Sequence, residues 1–266
     1  MAGRRDVHAT MTLEVDGPTE FMLAVSAARG VPLESERLRV TLDGEGVPTR
    51  ELGDLHGTRL QVFETVPGTM QIEYRAAVGG RAAPVAVEPL DAITYLRPSR
   101  YVQSDTLQPF ARDTFPGLDG AALVREVAAW VHGRLRYEAE STSPTGGAAE
   151  TLESGAGVCR DFAHLTAALL RALDVPARLV SVYAPGLVPP DFHAVVEALV
   201  EGRWVVVDAT RLAPRRGMVR IATGRDATDT AFLTNTITDI RLTALQVEAT
   251  AVDELDDDPD ELVELG

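Results

Sequence analysis

Residues 155–165 read Gly155-Ala156-Gly157-Val158-Cys159-Arg160-Asp161-Phe162-Ala163-His164-Leu165, and they hold the single cysteine of the 266-residue chain. The glycines indicate a loop. Apolar residues from Cys159 to Leu173 then recur at steps of three and four, which predicts an amphipathic helix. Pro176 limits that helix, because the residue before a proline is disfavoured in the α conformation. The cysteine is therefore predicted to lie in the first turn.

A cysteine at a helix start is placed where a thiol can act as a nucleophile. The first turn has backbone N–H groups without helical partners and the positive end of the helix dipole, and both favour a thiolate. The same N–H groups can stabilise a developing oxyanion. A lone cysteine among apolar neighbours is more often a buried structural residue, so the interpretation of Cys159 depends on the rest of the chain.

The composition excludes several classes of protein. Hydrophobic residues make up 45% of the chain and charged residues 24%, as in globular proteins of one large or two small domains. One cysteine allows neither an internal disulfide framework nor a C-x-x-C zinc site. No apolar run reaches the about eighteen residues of a membrane span, and none follows Arg4 and Arg5 as in a signal peptide. We therefore expect a cytoplasmic protein without a membrane partner.

The chain is acidic, and its end is especially so. The net charge of −15 argues against nucleic acid as a partner. Eight of the last fourteen residues are acidic. Their spacing is not that of a calcium loop, and we expect neither a metal nor a cofactor. Residues 251–266 are predicted to form a solvated, disordered tail.

The first part of the chain, residues 1–88, is predicted to be a small antiparallel β-domain. Five short candidate strands are separated by turn residues. They cover residues 11–15, 21–26, 38–42, 59–63 and 70–74. His8 and His56 are expected on its surface. Gly79-Gly80 indicates a linker to the next region.

The second part, residues 89–250, is predicted to combine helices with an antiparallel sheet, so the fold class is α+β. One helix is expected at 120–135 and the second begins at Cys159. Candidate strands cover residues 178–183, 193–200, 203–208, 218–223 and 240–247. Glu201-Gly202 is predicted to be the turn between the second and third of them.

This turn determines which side chains meet. If Glu201 and Gly202 form a two-residue turn, Val200 faces Arg203 and the register carries His193 opposite Thr210. His193 and Asp208 then share a face as diagonal neighbours, about 7–8 Å apart at the backbone and close enough for their side chains to touch. A three-residue turn would place them on opposite faces.

A cysteine, a histidine and a carboxylate in this arrangement suit thiol acyl transfer. Cys159 would attack, His193 would accept and return the proton, and Asp208 would orient the imidazole. His164 also lies near Cys159 in sequence, but five residues place it about 140° around the helix, pointing away from the sulfur. A metal site built on Cys159, His193 and Asp208 would lack a third strong nitrogen or sulfur ligand.

Residues 95–223 resemble the bacterial transglutaminase-like superfamily, whose fold is papain-like. The family pattern is a G-x-G-V-C-x-D helix start, a tyrosine strand, H-A-W-V-E, and D-P-T after a hydrophobic strand. The corresponding residues here are Gly155-Ala156-Gly157-Val158-Cys159-Arg160-Asp161, Tyr183, His193-Ala194-Val195-Val196-Glu197 and Asp208-Ala209-Thr210. The resemblance implies a papain-like transglutaminase-core domain after the β-domain, with Cys159, His193 and Asp208 as its catalytic triad.

Two residues depart from the family pattern. Val195 stands where the family has tryptophan, and Ala209 where it has proline. Neither replaces a member of the triad, but loss of the indole leaves the substrate preference open.

Three functions remain in view. The leading hypothesis is a cysteine-dependent amide hydrolase, a peptidase or amidase, that forms a thioester with a peptide or protein substrate. In the second, a protein-glutamine transglutaminase, an amine resolves the same thioester. The third is a non-catalytic scaffold that binds a peptide. An intact set of three residues argues against the scaffold, and the ready availability of water favours hydrolysis.

Overall fold

The computed structural model describes residues 3–253 and 255–265, which form four β-sheets and six α-helices. The strands are β1 (Arg5–Val15), β2 (Thr19–Leu23), β3 (Leu33–Leu42), β4 (Glu45–Gly46), β5 (Arg50–Gly53), β6 (Arg59–Thr65), β7 (Gly68–Val78), β8 (Arg136–Tyr137), β9 (Ala156–Gly157), β10 (Ala177–Tyr183), β11 (Phe192–Val200), β12 (Arg203–Val207), β13 (Val219–Gly224), β14 (Leu233–Asn235) and β15 (Ile240–Ala251). The helices are α1 (Asp91–Thr94), α2 (Ser104–Thr114), α3 (Gly120–Arg134), α4 (Ala148–Ser154), α5 (Cys159–Ala172) and α6 (Ala227–Thr230). Short 3-10 helices cover Leu55–Gly57, Ala139–Ser141 and Arg215–Gly217.

Two antiparallel sheets form the β-rich part, which confirms the N-terminal β-domain of the predicted α+β fold. One has the order β15-β1-β7-β3-β4 and the other β14-β2-β6-β5. Along β1, buried and half-buried residues alternate strictly, because successive side chains point to opposite faces. The inward residues of both sheets, among them Met11, Leu13, Phe21, Phe63 and Ile72, belong to one apolar cluster.

The division into residues 1–88 and 89–250 remains a prediction, but chain order and sheet membership differ in one respect. β14 and β15 follow the helical region in sequence, yet β14 pairs with β2 and β15 pairs with β1 along its whole length. The last strands of the chain thus complete the sheets that its first strands begin. A crossover of this length leaves no local pattern in the sequence.

The third sheet, β12-β11-β10-β13, has only antiparallel neighbours and carries α5 on one face. Helix α5 is buried along almost its whole length, because it also contacts α2, α3 and α4. This arrangement matches the transglutaminase-like core predicted from the sequence. It brings the start of α5 to the end of the sheet where β11 begins.

The predicted turn and register between β11 and β12 are confirmed. Glu201 has φ 52° and Gly202 has φ 74°, the left-handed conformations that a two-residue type I′ hairpin turn requires. The pairing runs from Val200 opposite Arg203 to Val196 opposite Val207. The two-residue turn on which the predicted meeting of His193 and Asp208 depends is therefore present.

The acidic tail differs from the solvated, disordered segment expected from its composition. In the described residues 255–265, Val263 bridges to Val206, and both Val263 and Leu265 are buried. Arg215 donates to both oxygens of Asp257. The acids face outward or pair with arginine, while apolar residues between them pack on the third sheet. The composition of the tail is dominated by its acidic residues, so it does not predict that the apolar residues between them pack on a sheet.

The expectation that His56 lies on the surface is wrong. Its side chain is only 4% exposed, and its Nδ1 accepts a hydrogen bond of 3.0 Å from Arg178 on the third sheet. Asp91 of α1 lies 3.5 Å from its Nε2. His56 is thus part of the contact between the β-rich part and the third sheet.

Candidate active site

Cys159 is the first residue of α5, as the spacing of apolar residues predicts. The turn before it is fixed by Asp161, whose carboxylate accepts a hydrogen bond of 2.9 Å from the Val158 N–H. A side chain at Gly157 would put its Cβ 2.5 Å from the Cβ of Asp161, so glycine is required for this close approach. The G-x-G-V-C-x-D segment therefore serves to hold the cysteine at the helix start.

His193 and Asp208 meet as the hairpin register predicts. The Nε2 of His193 lies 2.8 Å from Oδ2 of Asp208, and the two side chains are 0% and 2% exposed. The other carboxylate oxygen accepts hydrogen bonds from the Thr210 hydroxyl at 2.7 Å and the Thr210 N–H at 2.9 Å. Both oxygens of Asp208 are thus occupied, which locks the carboxylate against the imidazole.

The second nitrogen of His193 is the open position of this group. Nδ1 is buried, and no described residue makes a hydrogen bond of ordinary geometry with it. The Cys159 thiol is the group next to His193, and it helps to favour the imidazolium. Cys159 and His193 also border the same cavity. The three predicted site residues are therefore brought together in the order thiol, imidazole, carboxylate.

Electrostatics favour a charged His193–Asp208 pair. Burial by itself would lower the pKa of His193, but the Asp208 carboxylate outweighs it and raises this pKa to about 10. Burial would likewise raise the pKa of Asp208, but His193 and Thr210 outweigh it and hold this pKa below its ordinary value. The carboxylate is thus suited to stabilise an imidazolium formed when the thiol loses its proton.

Tyr137 is a site residue that sequence reasoning missed. The short parallel pair of β8 and β9 places Tyr137 opposite Gly157, two residues before the cysteine. Burial and the neighbouring Cys159 thiol raise the pKa of Tyr137 to about 12, while the Cys159 N–H favours the phenolate in the opposite direction. The phenol is therefore a neutral hydrogen-bond donor beside the thiol. A two-residue strand carries no periodicity that could have revealed it.

His164 occupies a separate environment. Its Nε2 accepts a hydrogen bond of 3.2 Å from the Ala227 N–H, and its ring stacks on Tyr101 at 5.2 Å between centroids. Burial lowers the pKa of His164 to about 3, so its ring is neutral at physiological pH. These contacts agree with the sequence argument that His164 points away from the sulfur.

The described residues contain neither a cluster of three metal-binding side chains nor a helix long and apolar enough to cross a membrane. A cavity of about 310 Å³ adjoins the cysteine and histidine. Its lining is mainly apolar and includes Phe192, Phe232 and Leu233.

Comparison with known proteins supports the resemblance found in the sequence. The profile of the Transglutaminase-like superfamily matches residues 110–209, a range that contains Cys159, His193 and Asp208. A crystal structure of a candidate cysteine protease from Cytophaga hutchinsonii is 33% identical, with a TM-score of 0.87 over 100% of this chain and 94% of that one. The chain belongs to the transglutaminase-like superfamily. The likeness to the Cytophaga protein covers the flanking sheets as well as this core.

Two further comparisons cover less of this chain. A protein of uncharacterised function from Mycobacterium leprae (strain TN) is 34% identical over 118 residues, which are 40% of this chain. The chain spans 41% of the length of that curated relative. The periplasmic domain of TgpA from Pseudomonas aeruginosa is 17% identical, with a TM-score of 0.42 over 80% of this chain and 90% of that domain. Likeness at that level carries no functional argument.

Proposed function

We propose that the protein is a cysteine-dependent amide hydrolase, a peptidase or amidase, that works through a thioester on Cys159. The observation that carries the proposal is the state of the His193 ring. Nε2 is held by Asp208 at 2.8 Å, while the buried Nδ1 is left for the Cys159 thiol, which interacts with this ring. An imidazole held at one nitrogen and open at the other is arranged to accept and return a proton.

In the first half of the proposed reaction, the Cys159 thiol has given its proton to Nδ1 of His193, which forms a thiolate–imidazolium pair, and the sulfur of this thiolate attacks the amide carbonyl. The carbonyl oxygen becomes an oxyanion, stabilised by the positive end of the α5 dipole and by the Tyr137 phenol. The C–N bond then breaks, and His193 gives its proton to the departing amine. The acyl group remains on Cys159 as a thioester.

In the second half, water attacks the thioester and gives its proton to His193. Collapse of the tetrahedral intermediate breaks the C–S bond, and the proton returns to the sulfur. A carboxylic acid leaves, and the enzyme is restored. The Cytophaga relative's name, a candidate cysteine protease, supports a peptide or protein as the substrate. Transfer to an amine shares the first half and differs only in what attacks the thioester.

The reactivity of Cys159 is the first test. Because the thiol lies at a helix start beside His193, iodoacetamide should alkylate it near neutral pH much faster than a cysteine in an unstructured peptide. His193→Ala should slow this alkylation. His8→Ala is the matched control, because His8 lies on β1, where its ionic partners are Glu73 and Glu248. Equal rates in all three proteins would remove His193 from the site.

The acyl-enzyme is the second test. Labelling with an electrophilic peptide probe, followed by intact-protein mass spectrometry, should place the adduct on Cys159. The product released from an acylated enzyme in water should be the free acid, which supports hydrolysis. An amide formed instead when a primary amine is added would identify a transglutaminase. Absence of any adduct together with slow alkylation would indicate a peptide-binding scaffold.

A further inference from the structure

The cavity beside Cys159 and His193 has a wall that the superfamily core does not supply. Ala24, Phe232, Leu233 and Leu245 line it, and all four lie outside the matched residues 110–209. They belong to or flank β2, β14 and β15, the strands that complete the two N-terminal sheets. The β-rich part therefore reaches the candidate active site directly.

This wall is preformed by hydrogen bonds and ring contacts. The Ala24 N–H donates to the Phe232 carbonyl at 2.9 Å, and β14 pairs with β2 from Leu233 onward. The Phe232 ring stacks on Phe192 at 5.2 Å between centroids. A cavity built on paired strands and stacked rings keeps its shape without a ligand, as substrate pockets usually do.

The lining has a chemistry that selects among side chains. Most of it is apolar, and its volume of about 310 Å³ is near the lower end of the roughly 300–1,000 Å³ of ligand pockets. Leu245 remains 37% exposed, so an apolar ligand could bury it. Ser181 also borders the cavity, with its hydroxyl oxygen buried. The charged side chains of the lining are Arg160 and Asp191.

We propose that this cavity is the subsite for a large apolar side chain on the acyl part of a peptide substrate, with Leu245 as a specificity residue. The inference rests on the proposed thioester chemistry. The acyl part stays bonded to Cys159 throughout the thioester's lifetime, so a pocket that borders the sulfur holds its nearest side chains. The substrate class is then a peptide or protein with an aromatic or long aliphatic residue there, and a small free carboxamide binds weakly.

The test uses peptidyl chloromethyl ketones that differ only in the two residues nearest the reactive carbonyl. Phenylalanine or leucine at one of these positions should give alkylation of Cys159 about tenfold faster than glycine or aspartate. Equal rates for all side chains would overturn the subsite.

Leu245→Asp sharpens the test, and Leu242→Asp is its matched control. Both leucines lie on β15 and are similarly exposed, at 37% and 40%, but only Leu245 lines the cavity. Leu245→Asp should cut the rate with the phenylalanine probe about tenfold, and Leu242→Asp should leave it unchanged. Identical behaviour of the two variants would overturn the assignment of Leu245.

Alkylation by iodoacetamide separates this inference from the proposed function. Iodoacetamide carries no side chain, so its rate reports the thiol alone, and the rate with the phenylalanine probe divided by this rate should fall in Leu245→Asp and stay constant in Leu242→Asp. Fast iodoacetamide alkylation without any side-chain preference would overturn the subsite and leave the proposed function standing. Slow alkylation by every reagent would overturn the proposed function itself.

Discussion

Strand β11 carries two buried charged groups four residues apart, and they are completed in opposite ways. Glu197 is enclosed by two arginines, with Arg178 Nε at 2.8 Å and Arg220 Nη1 at 3.0 Å from its Oε2. Arg220 also pairs with Oε1. His193 has Asp208 on one nitrogen only, and its other nitrogen adjoins the thiol. Glu197 with Arg178 and Arg220 is called the closed cluster, because both carboxylate oxygens of Glu197 have charged partners. His193 with Asp208 and Cys159 is called the open cluster, because it borders a cavity.

The closed cluster is built for stability. Arg178 lies over the ring of Trp204 at 3.8 Å and donates to His56, so the cluster links β10, β11, β12 and β13 to the 3-10 helix of the β-rich part. Burial by itself would raise the pKa of Glu197, but Arg220 and Arg178 outweigh it and lower this pKa. A buried charge whose partners are all present holds a structure, whereas one left open can take part in chemistry.

The largest expected effect comes from removing the Cys159 thiol of the open cluster. Cys159→Ala should abolish turnover, because it removes the sulfur that forms the thioester. The thermal midpoint should stay nearly unchanged, since His193 keeps its bond to Asp208. Turnover assays and thermal unfolding of the same preparation check both parts. Residual turnover by the variant would show that the reaction does not pass through Cys159.

The closed cluster should respond in stability instead. Glu197→Gln removes the carboxylate that Arg178 and Arg220 share and leaves Arg178 with Asp91 at 3.9 Å, which should cost about 3–5 kcal/mol in the free energy of unfolding. Activity per folded molecule should change little, because the cluster does not border the cavity. Chemical denaturation and active-site titration separate the two quantities. A stable variant with reduced activity would end the distinction between the clusters.

Removing only the charge of Asp208 tests the carboxylate of the open cluster, as Cys159→Ala tests its thiol. Asp208→Asn should lower turnover by roughly a hundredfold or more and stability by only about 1 kcal/mol. The carboxylate raises the pKa of His193 to about 10, so the variant should also lose its charged imidazole at lower pH. A pH–rate profile should therefore show the alkaline limb moved toward neutral pH. Unfolding with full activity in the remaining folded fraction would make Asp208 structural.

The smallest expected effect is an acid sensitivity of the closed cluster. Burial and the neighbouring Arg178 hold the pKa of His56 below its ordinary 6.5. The charged groups that face it are Arg178, Arg220, Asp91 and Glu197. A histidine with a lowered folded pKa binds fewer protons than in the unfolded chain, so its contribution to stability is present above about pH 6.5 and is lost below it.

Thermal midpoints measured between pH 7.5 and pH 5 can isolate this contribution. The parent protein should lose more stability on acidification than His56→Gln. His164 titrates identically in both proteins, so the difference between them belongs to His56. Equal losses in the two proteins would show that His56 stays uncharged, or solvated, throughout this range.

Local patterns determined the parts of the site that lie close together in sequence. The three- and four-residue spacing placed Cys159 at a helix start, and the Glu201-Gly202 turn set the register that joins His193 to Asp208. Each depends on backbone geometry over a few residues, which side-chain spacing records directly. The motif around Cys159, His193 and Asp208 also carried the resemblance to the superfamily, although it did not distinguish the roles of His193 and Glu197.

Tertiary structure alone decided the contacts between distant segments. It placed Tyr137 beside the thiol, His56 against Arg178, β14 and β15 on the N-terminal sheets, and Val263 on the third sheet. None of these contacts follows from a period or a short turn, because each partner is chosen by the packing of whole sheets. Whether a buried charged group has partners on all of its polar atoms depends on residues that are distant in sequence. For that reason only the folded chain decides it.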